Sequence, residues 1–476
     1  MRRVVIVGGG LSGLAAARAV LDEAAKRSVP LELALAEKEP LLGGKIRSTR
    51  EQGFLCEHGP NGFLDNKPST LALVKRLSAD RKLLRSNDEA RKRFVFTGGE
   101  LKALPEDPVS FLLSDLLSIR GKLRLAAEFL LPQGGGREDE SVAAFVRRRL
   151  GDEALEKLID PMSAGIYAGD PSVMSLRSCF PKVAQLEAQF GGLLKGMLAM
   201  QKMAKAMGVK GPQSAGPGGV LWSLQEGAGE LVSELAGTLP QGSVRTGAGA
   251  EALERGPQGG WVVRTEDGSR LEAAAVVLAT PAYDAARLLR DQDPNLADRL
   301  YAIPYVPAAV VCTGFRREDV SHPLDGFGFL IPSSEGRKIL GSLWSSSIFA
   351  RRAPKGGVLL TQILGGARNP ELVGLGDEEL LQVVRDELAW TLGIRAAPTF
   401  VKVVRWPRAI PQYVVGHDAR LQEVEGRVGA LGGLFLGGNA YYGIGINDCT
   451  AHGAVLGPRV LEALSSGPGG AGGGSP

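Results

Sequence analysis

Gly8, Gly10 and Gly13 stand in a G-x-G-x-x-G spacing, and Glu37 follows 24 residues after the last of them. Together these residues suit one task. The first glycine turns the chain, the second lets backbone amides reach a diphosphate, the third lets a helix press on a strand, and the acid meets ribose hydroxyls. Gly9, Leu11, Ser12 and Leu14 share the turn and helix start, and Lys38 follows the acid. Little else offers hydrolytic or group-transfer chemistry. His58, His322, His417 and His452 are scattered, with no metal-spaced pair and no signature of a His-activated nucleophile. Cys56, Cys179, Cys312 and Cys449 contain no C-x-x-C pair, so no zinc site or disulfide framework is expected and a reducing compartment fits.

Positioning these residues requires a strand, a tight turn and a helix, and residues 4–20, VVIVGGGLSGLAAARAV, have that texture; LELALAEK is the second strand and ends on Glu37. The 476 residues, 44% hydrophobic and 23% charged, form a chain long enough for a sizeable core, with a formal net charge of only +4. No basic run is long enough to track a nucleic-acid backbone. No room exists before VVIV for a secretory leader, so secretion is not expected. The apolar stretch 109–131 is broken by Asp115, Arg120, Lys122 and Arg124, whereas a spanning helix needs about 20 apolar residues in a row. Residues 97–210 are Leu-rich, basic and helix-forming, with a loop at 132–136. Within them Leu193, Met197, Met200, Ala204 and Met207 recur at helical spacing, which predicts a helix packed into the core or, alternatively, one lying among lipid headgroups. The stretch 210–219 and the tail SSGPGGAGGGSP read as flexible.

Three further glycine clusters separate flavin from nicotinamide. EPLLGGKIRS carries Gly43, Gly44 and Lys45, FLCEHGPNGF carries Gly59, Pro60, Asn61 and Gly62, and LFLGGNAYYGIGIND carries Gly438, Asn439, Gly443, Ile444, Gly445, Ile446, Asn447 and Asp448. With these motifs the chain resembles the flavin-containing amine oxidase and protoporphyrinogen oxidase superfamily. PMSAGIYAGDPSVMSLRSCFP, GFGFLIPSSE, ILGGARNP and AIPQYVVGH resemble its protoporphyrinogen oxidase branch. The resemblance implies an α/β (α+β) fold: a discontinuous Rossmann-like FAD-binding domain (1–75, 220–290 and 425–476), a mixed-sheet substrate-binding domain (76–96 and 291–424) and a helical membrane-facing insertion (97–219).

It also implies FAD on the residues named above, with Ala250 touching the adenine through its backbone and Trp406 near the cofactor. Protoporphyrinogen IX would be oxidised by successive hydride transfers to flavin N5, with molecular oxygen as acceptor and no metal. Phe327, Leu330 and Ile363 would sandwich the macrocycle, the Ala164-Gly165-Ile166 backbone would meet pyrrole N–H groups, and Gly165 is the one catalytic candidate. Asn61 stands where many members have an arginine, so anchoring of a propionate is expected to be weaker or handled elsewhere. VPAAVVCTGF lacks the lysine of amine oxidases. A carotenoid desaturase, an amine oxidase or a flavin-free lipid- or partner-binding protein of the same fold are the alternatives. A cytoplasmic location at a membrane's cytoplasmic face is expected, and homodimer formation stays open.

Overall fold

The computed structural model describes residues 2–134, 139–206, 219–257 and 259–466. Part of the 132–136 loop, Met207, nearly all of 210–219 and most of the glycine-rich tail lie outside the described residues.

Five short strands, Val244–Arg245, Leu31–Ala36, Arg2–Val7, Ala275–Leu278 and Leu434–Leu436, lie side by side in that order, all parallel. Parallel strands buried on both faces need continuous apolar runs, and VVIV and AVVL are fully buried. The helix Leu11–Lys26 follows the first turn and packs on Ile446–Ser466, the last helix among the described residues. That packing requires small residues: a Cβ on Gly453 would stand 2.6 Å from Cβ of Ala15, and one on Gly457 2.6 Å from the Ala19 carbonyl oxygen. A three-stranded antiparallel sheet, Ala250–Arg255, Trp261–Thr265 and Arg270–Ala273, covers one side.

The second sheet has seven strands in the order Phe400–Pro411, Tyr305–Arg316, Gly357–Gly365, Ile339–Leu343, Gly328–Leu330, Arg93–Thr97 and Glu100–Ala103. All its pairs are antiparallel except Gly328–Leu330 with Arg93–Thr97. Register puts Leu330 opposite Val95 and Gly341, and Gly341 opposite Ile363, so Leu330 and Ile363 share one face of this sheet.

Residues 108–134 and 139–206 are largely helical and are held together by buried charge. Glu128 and Arg149 are fully buried, and the Glu128 carboxylate accepts from the Leu193 and Leu194 amides at the start of the helix Leu193–Ala206. Arg149 donates to Glu187 at 2.7 Å, and Arg148 joins Glu187 and Glu140 at 2.6 Å. On the helix Leu193–Ala206, Met197, Leu198, Met200 and Met203 are exposed, which corrects the core expectation for the methionine stripe. The physical reason is that Leu186 and Phe190 lie against this face at its first turn, at Gly196, while Met200 and Met203, one and two turns further along it, are exposed. Among the described residues no helix is long and apolar enough to cross a membrane.

Burial alone would raise the Glu187 carboxyl, but hydrogen bonds from Arg148 and the Gly134 amide outweigh it and hold it at about 2. A carboxyl depressed on folding stabilises the native state above its unfolded value of 4.5 and loses that contribution as pH falls toward 2. The melting temperature is therefore expected to drop between pH 4.5 and pH 2, and Glu187→Gln to flatten that part of the profile when both proteins are followed by circular dichroism.

Candidate functional site

The first turn is built by close approach. Gly8 has φ +106, and a Cβ on Gly13 would stand 1.9 Å from the Gly8 carbonyl oxygen, so only glycine lets the helix Leu11–Lys26 start this close to the strand. Leu11, Ser12, Gly13 and Leu14 are buried beneath it. Glu37 is buried and braces the turn, its carboxylate accepting from the Gly9 amide at 2.6 Å and the Glu39 amide at 2.8 Å. Gly10 differs from its neighbours: no atom lies within 4 Å of its would-be Cβ. Gly44, with φ +57, faces the same space, since its would-be Cβ meets only Cα of Gly10 at 3.6 Å. The Gly43 amide donates to the Gly9 carbonyl at 2.9 Å, fixing the second glycine loop against the first.

Lys45 supplies the charge at this cradle. Its ammonium lies 5.6 Å over the Tyr305 ring and forms no ion pair among the described residues. Burial pushes it down to about 8, with Asp284 opposing only part of that shift. A desolvated ammonium beside open backbone suits an anionic diphosphate. Lys38, by contrast, is exposed and faces Asp284 at 3.4 Å.

The Gly59-Pro60-Asn61-Gly62 loop is tied at both ends. Trp406 Nε1 donates to the His58 carbonyl at 2.7 Å, and a Cβ on Gly62 would stand 2.3 Å from the Trp222 carbonyl oxygen. Gly59 likewise runs against the Lys45 carbonyl, 2.5 Å from its would-be Cβ. Asn61 Nδ2 is buried without a partner, as is Thr280 Oγ1 next to Gly438, whose φ is +118. Two orphaned polar groups flanking an open glycine cradle fit a dinucleotide whose polar atoms would satisfy them.

The C-terminal glycine cluster is tied down by hydrogen bonds within the protein. Tyr413 OH donates to the Asn439 carbonyl and accepts from the Gly443 amide, while Ile444 packs on the cluster around Tyr167 and Tyr413. Gly445 donates to the Asp448 carboxylate at 3.2 Å, and Asp448 pairs with Lys67. Asn447 is occupied by the Leu64 carbonyl and the Thr70 amide, and Ile446 is buried at the start of the last helix. The segment next to Glu37 and Lys38 is Gly247-Ala248-Gly249: the Ala248 amide donates to the Glu37 carbonyl, and a Cβ on Gly249 would stand 2.8 Å from Cβ of Lys38. Ala250 lies one residue further on, its carbonyl occupied by Arg287 at 2.7 Å.

On the seven-stranded sheet the structure brings Ala164, Gly165, Leu330 and Ile363 together. Ala164 and Ile363 share an apolar cluster with Leu340, and a Cβ on Gly165 would stand 2.8 Å from Leu330. The Ile166 side chain points outward and is exposed. Phe327 lies beside a residue absent from the sequence-based set, Arg93, whose guanidinium sits 5.4 Å from the ring centroid. Because Arg93 and Val95 alternate to one side of their strand and Val95 pairs with Leu330, Arg93 shares the face of Leu330. Burial pushes its guanidinium down, and it forms no ion pair among the described residues. A charged residue opening the apolar strand RFVFT was the one sequence signal for it. Among the described residues no group of His, Cys, Asp and Glu could hold a metal.

The family model for flavin containing amine oxidoreductase matches residues 11–454. Coproporphyrinogen III oxidase of Bacillus subtilis (strain 168) is 32% identical over 474 residues, covering 98% of this chain and 99% of its own. The chloroplastic protoporphyrinogen oxidase of Oryza sativa subsp. japonica is 35% identical, with 94% and 85% covered. A crystal structure of a provisionally named protoporphyrinogen oxidase from Exiguobacterium sp. 255-15 superposes with a TM-score of 0.82 at 29% identity, covering 97% and 99%.

Since space at Gly10 is open in the folded protein, Gly10→Val is expected to keep the circular dichroism spectrum and melting transition while flavin absorbance per chain falls below about one tenth. Stoichiometric flavin in that variant would place the diphosphate elsewhere.

Proposed function

The chain belongs to the flavin-containing amine oxidoreductase family and is an FAD-dependent oxidoreductase, and we propose that it aromatises protoporphyrinogen IX to protoporphyrin IX with molecular oxygen as final acceptor. The observation that carries this reading is Arg93: one desolvated, unpaired guanidinium on the apolar face formed by Leu330 and Ile363. Such a surface suits a large apolar ring bearing carboxylates and offers no hydrolytic machinery. Bound FAD supplies the two-electron acceptor for hydrogen leaving the substrate. Gly8, Gly10 and Gly44 would hold its diphosphate by backbone, Lys45 would neutralise it, and Asn61 and Thr280 would meet its remaining polar atoms.

The chain's residues then bind and orient. Leu330, Ile363 and Phe327 pack on the macrocycle and exclude water, while Arg93 holds a propionate where the Asn61 amide brings no charge. The last turn of the helix Asp160–Tyr167 leaves carbonyls without intrahelical partners, and Gly165 and Ile166 stand there to accept pyrrole N–H groups. The strand Tyr305–Arg316 carries no lysine, which argues against amine oxidation.

We also propose that the insertion seats the protein on the cytoplasmic face of a membrane. Leu113, Ile119, Leu123 and Leu130 are more than 60% exposed, and Met197, Met200 and Met203 are also bare, with Arg120 and Lys202 exposed nearby. Isolated apolar side chains are ordinary on a surface, but a cluster of this size seeks an apolar partner.

Flavin-loaded protein is expected to generate porphyrin fluorescence from protoporphyrinogen IX. Coproporphyrinogen III run in parallel decides between the two activities named in the relatives, and a flat trace with both overturns the proposal. Arg93→Met is expected to raise KM about tenfold, the loss of one charge-assisted hydrogen bond, with kcat within about twofold. The double variant Leu113→Asp/Leu130→Asp is expected to stop cosedimenting with vesicles containing anionic lipid while turning over detergent-dispersed substrate at the wild-type rate.

A further inference from the structure

The helix Asp160–Tyr167 carries the backbone that overlies Leu330, and its placement has to be held from both ends. At its C-terminal end the Tyr167 carbonyl accepts from Gln412 Nε2 at 2.9 Å, and the carbonyl of Ala168, which has φ 48, accepts from the Ala367 amide at 2.8 Å. Its N-terminal end is entered through a π turn, Leu155–Ile159. The helix runs on from this turn without a break, Ile159 keeping helical φ/ψ, and the contacts of Asp160 lie where the wide turn gives way to the regular helix.

Those contacts are ionic and buried. Asp160 Oδ2 accepts from the Ser333 amide and from Arg368 Nη2, both at 2.7 Å. The other arm of the same guanidinium, Nη1, donates to the Ile331 carbonyl at 2.6 Å. The side chains of Arg368 and Asp160 are 13% and 10% exposed. Ile331 directly follows Leu330, so one rigid fork ties the start of the helix to the strand end whose side chain meets Gly165. Arg368 itself sits just beyond the strand Gly357–Gly365 that carries Ile363, and the Ala367 amide beside it holds the far end of the helix.

We infer that Asp160 and Arg368 are a positioning pair: they fix the distance between the 164–166 backbone and the Leu330–Ile363 face, and through it the fit of the macrocycle. The inference rests on the porphyrinogen reading above for the identity of what is fitted, but not for the placement of the helix. A buried ion pair adds little net stability over an apolar pair of similar volume, whereas either partner left alone costs several times more. Its contribution is therefore a single geometry rather than a deeper minimum, and a planar guanidinium gripping two oxygens at once sets angle as well as distance.

Asp160→Asn, Arg368→Met, Arg368→Lys and the double variant Asp160→Asn/Arg368→Met separate this from simple structural support. Both single charge removals are expected to raise the KM for protoporphyrinogen IX about tenfold, the scale of a displaced binding group, with full flavin content and a lowered melting temperature. The double variant is expected to regain most of the melting temperature, since no unpaired charge remains, yet to keep the raised KM. Arg368→Lys, which keeps charge but not the fork, should restore stability more than KM. Amide hydrogen exchange at 164–168 reports the helix without any substrate and should be at least about tenfold faster in Arg368→Met and in the double variant. Unchanged exchange, or a double variant whose KM returns with its melting temperature, overturns the assignment. Wild-type protein inert toward porphyrinogens would instead overturn the function, leaving the exchange result to judge the pair.

Discussion

The approach of Gly13 to the carbonyl of Gly8 is the constraint on which the nucleotide half depends. At 1.9 Å from a would-be Cβ there is no room for any other residue, and the helix Leu11–Lys26 inherits its position from that contact. Glu37 can brace the Gly9 amide only because the turn is this tight, and Gly43 can donate to the Gly9 carbonyl for the same reason. The open space at Gly10 and Gly44 is what remains when the surrounding backbone is drawn in on every other side. A site for a diphosphate is thus produced by crowding, with two would-be side chains omitted where the ligand goes.

The substrate half depends instead on sheet register. Leu330, Gly341 and Ile363 fall in one row because the pairing of the middle strand shifts register between Ile339 and Gly341, and a further one-residue shift would turn each side chain to the opposite face. Asn61 and Arg93 show how charge is distributed across the two halves. The loop after Gly59-Pro60 keeps a neutral amide, while the cation is supplied from the first residue of a strand on the second sheet. The cation–π arrangement with Phe327 keeps that guanidinium in place without neutralising it, as an ion pair would.

Much of this was legible in the amino-acid order because it is local. The glycine spacing, the strand ending on Glu37 and the buried run AVVL each express themselves within about ten neighbouring positions. Arg93 and the Asp160–Arg368 pair were not legible, because their roles depend on partners distant in the chain, 208 residues apart for the ion pair, and on a register no periodicity encodes. The methionine stripe failed for a related reason. Helical spacing identifies an apolar side but not how far along it a partner reaches, and Leu186 and Phe190 cover that side at Gly196 while Met200 and Met203 further along stay exposed. The hydrogen bonds of Gly443, Gly445 and Asn447 to Tyr413, Asp448 and Leu64 were equally illegible, since they too join distant segments or depend on the fold.

The fit of the last helix against the first, glycine on alanine at Gly453 and Ala15, sets an order of events during synthesis. The fifth strand of the nucleotide sheet and the helix that covers the first turn are both specified after residue 433. At about 5 to 20 residues per second, the opening strand, turn and helix emerge roughly 20 to 80 seconds before the elements that bury them. Through that interval VVIV stands without its full cover and the cradle is incomplete. A cradle completed only by residues 434–466 can hold the dinucleotide only after they have been made, and until then the early apolar strands are what a chaperone would have to shield.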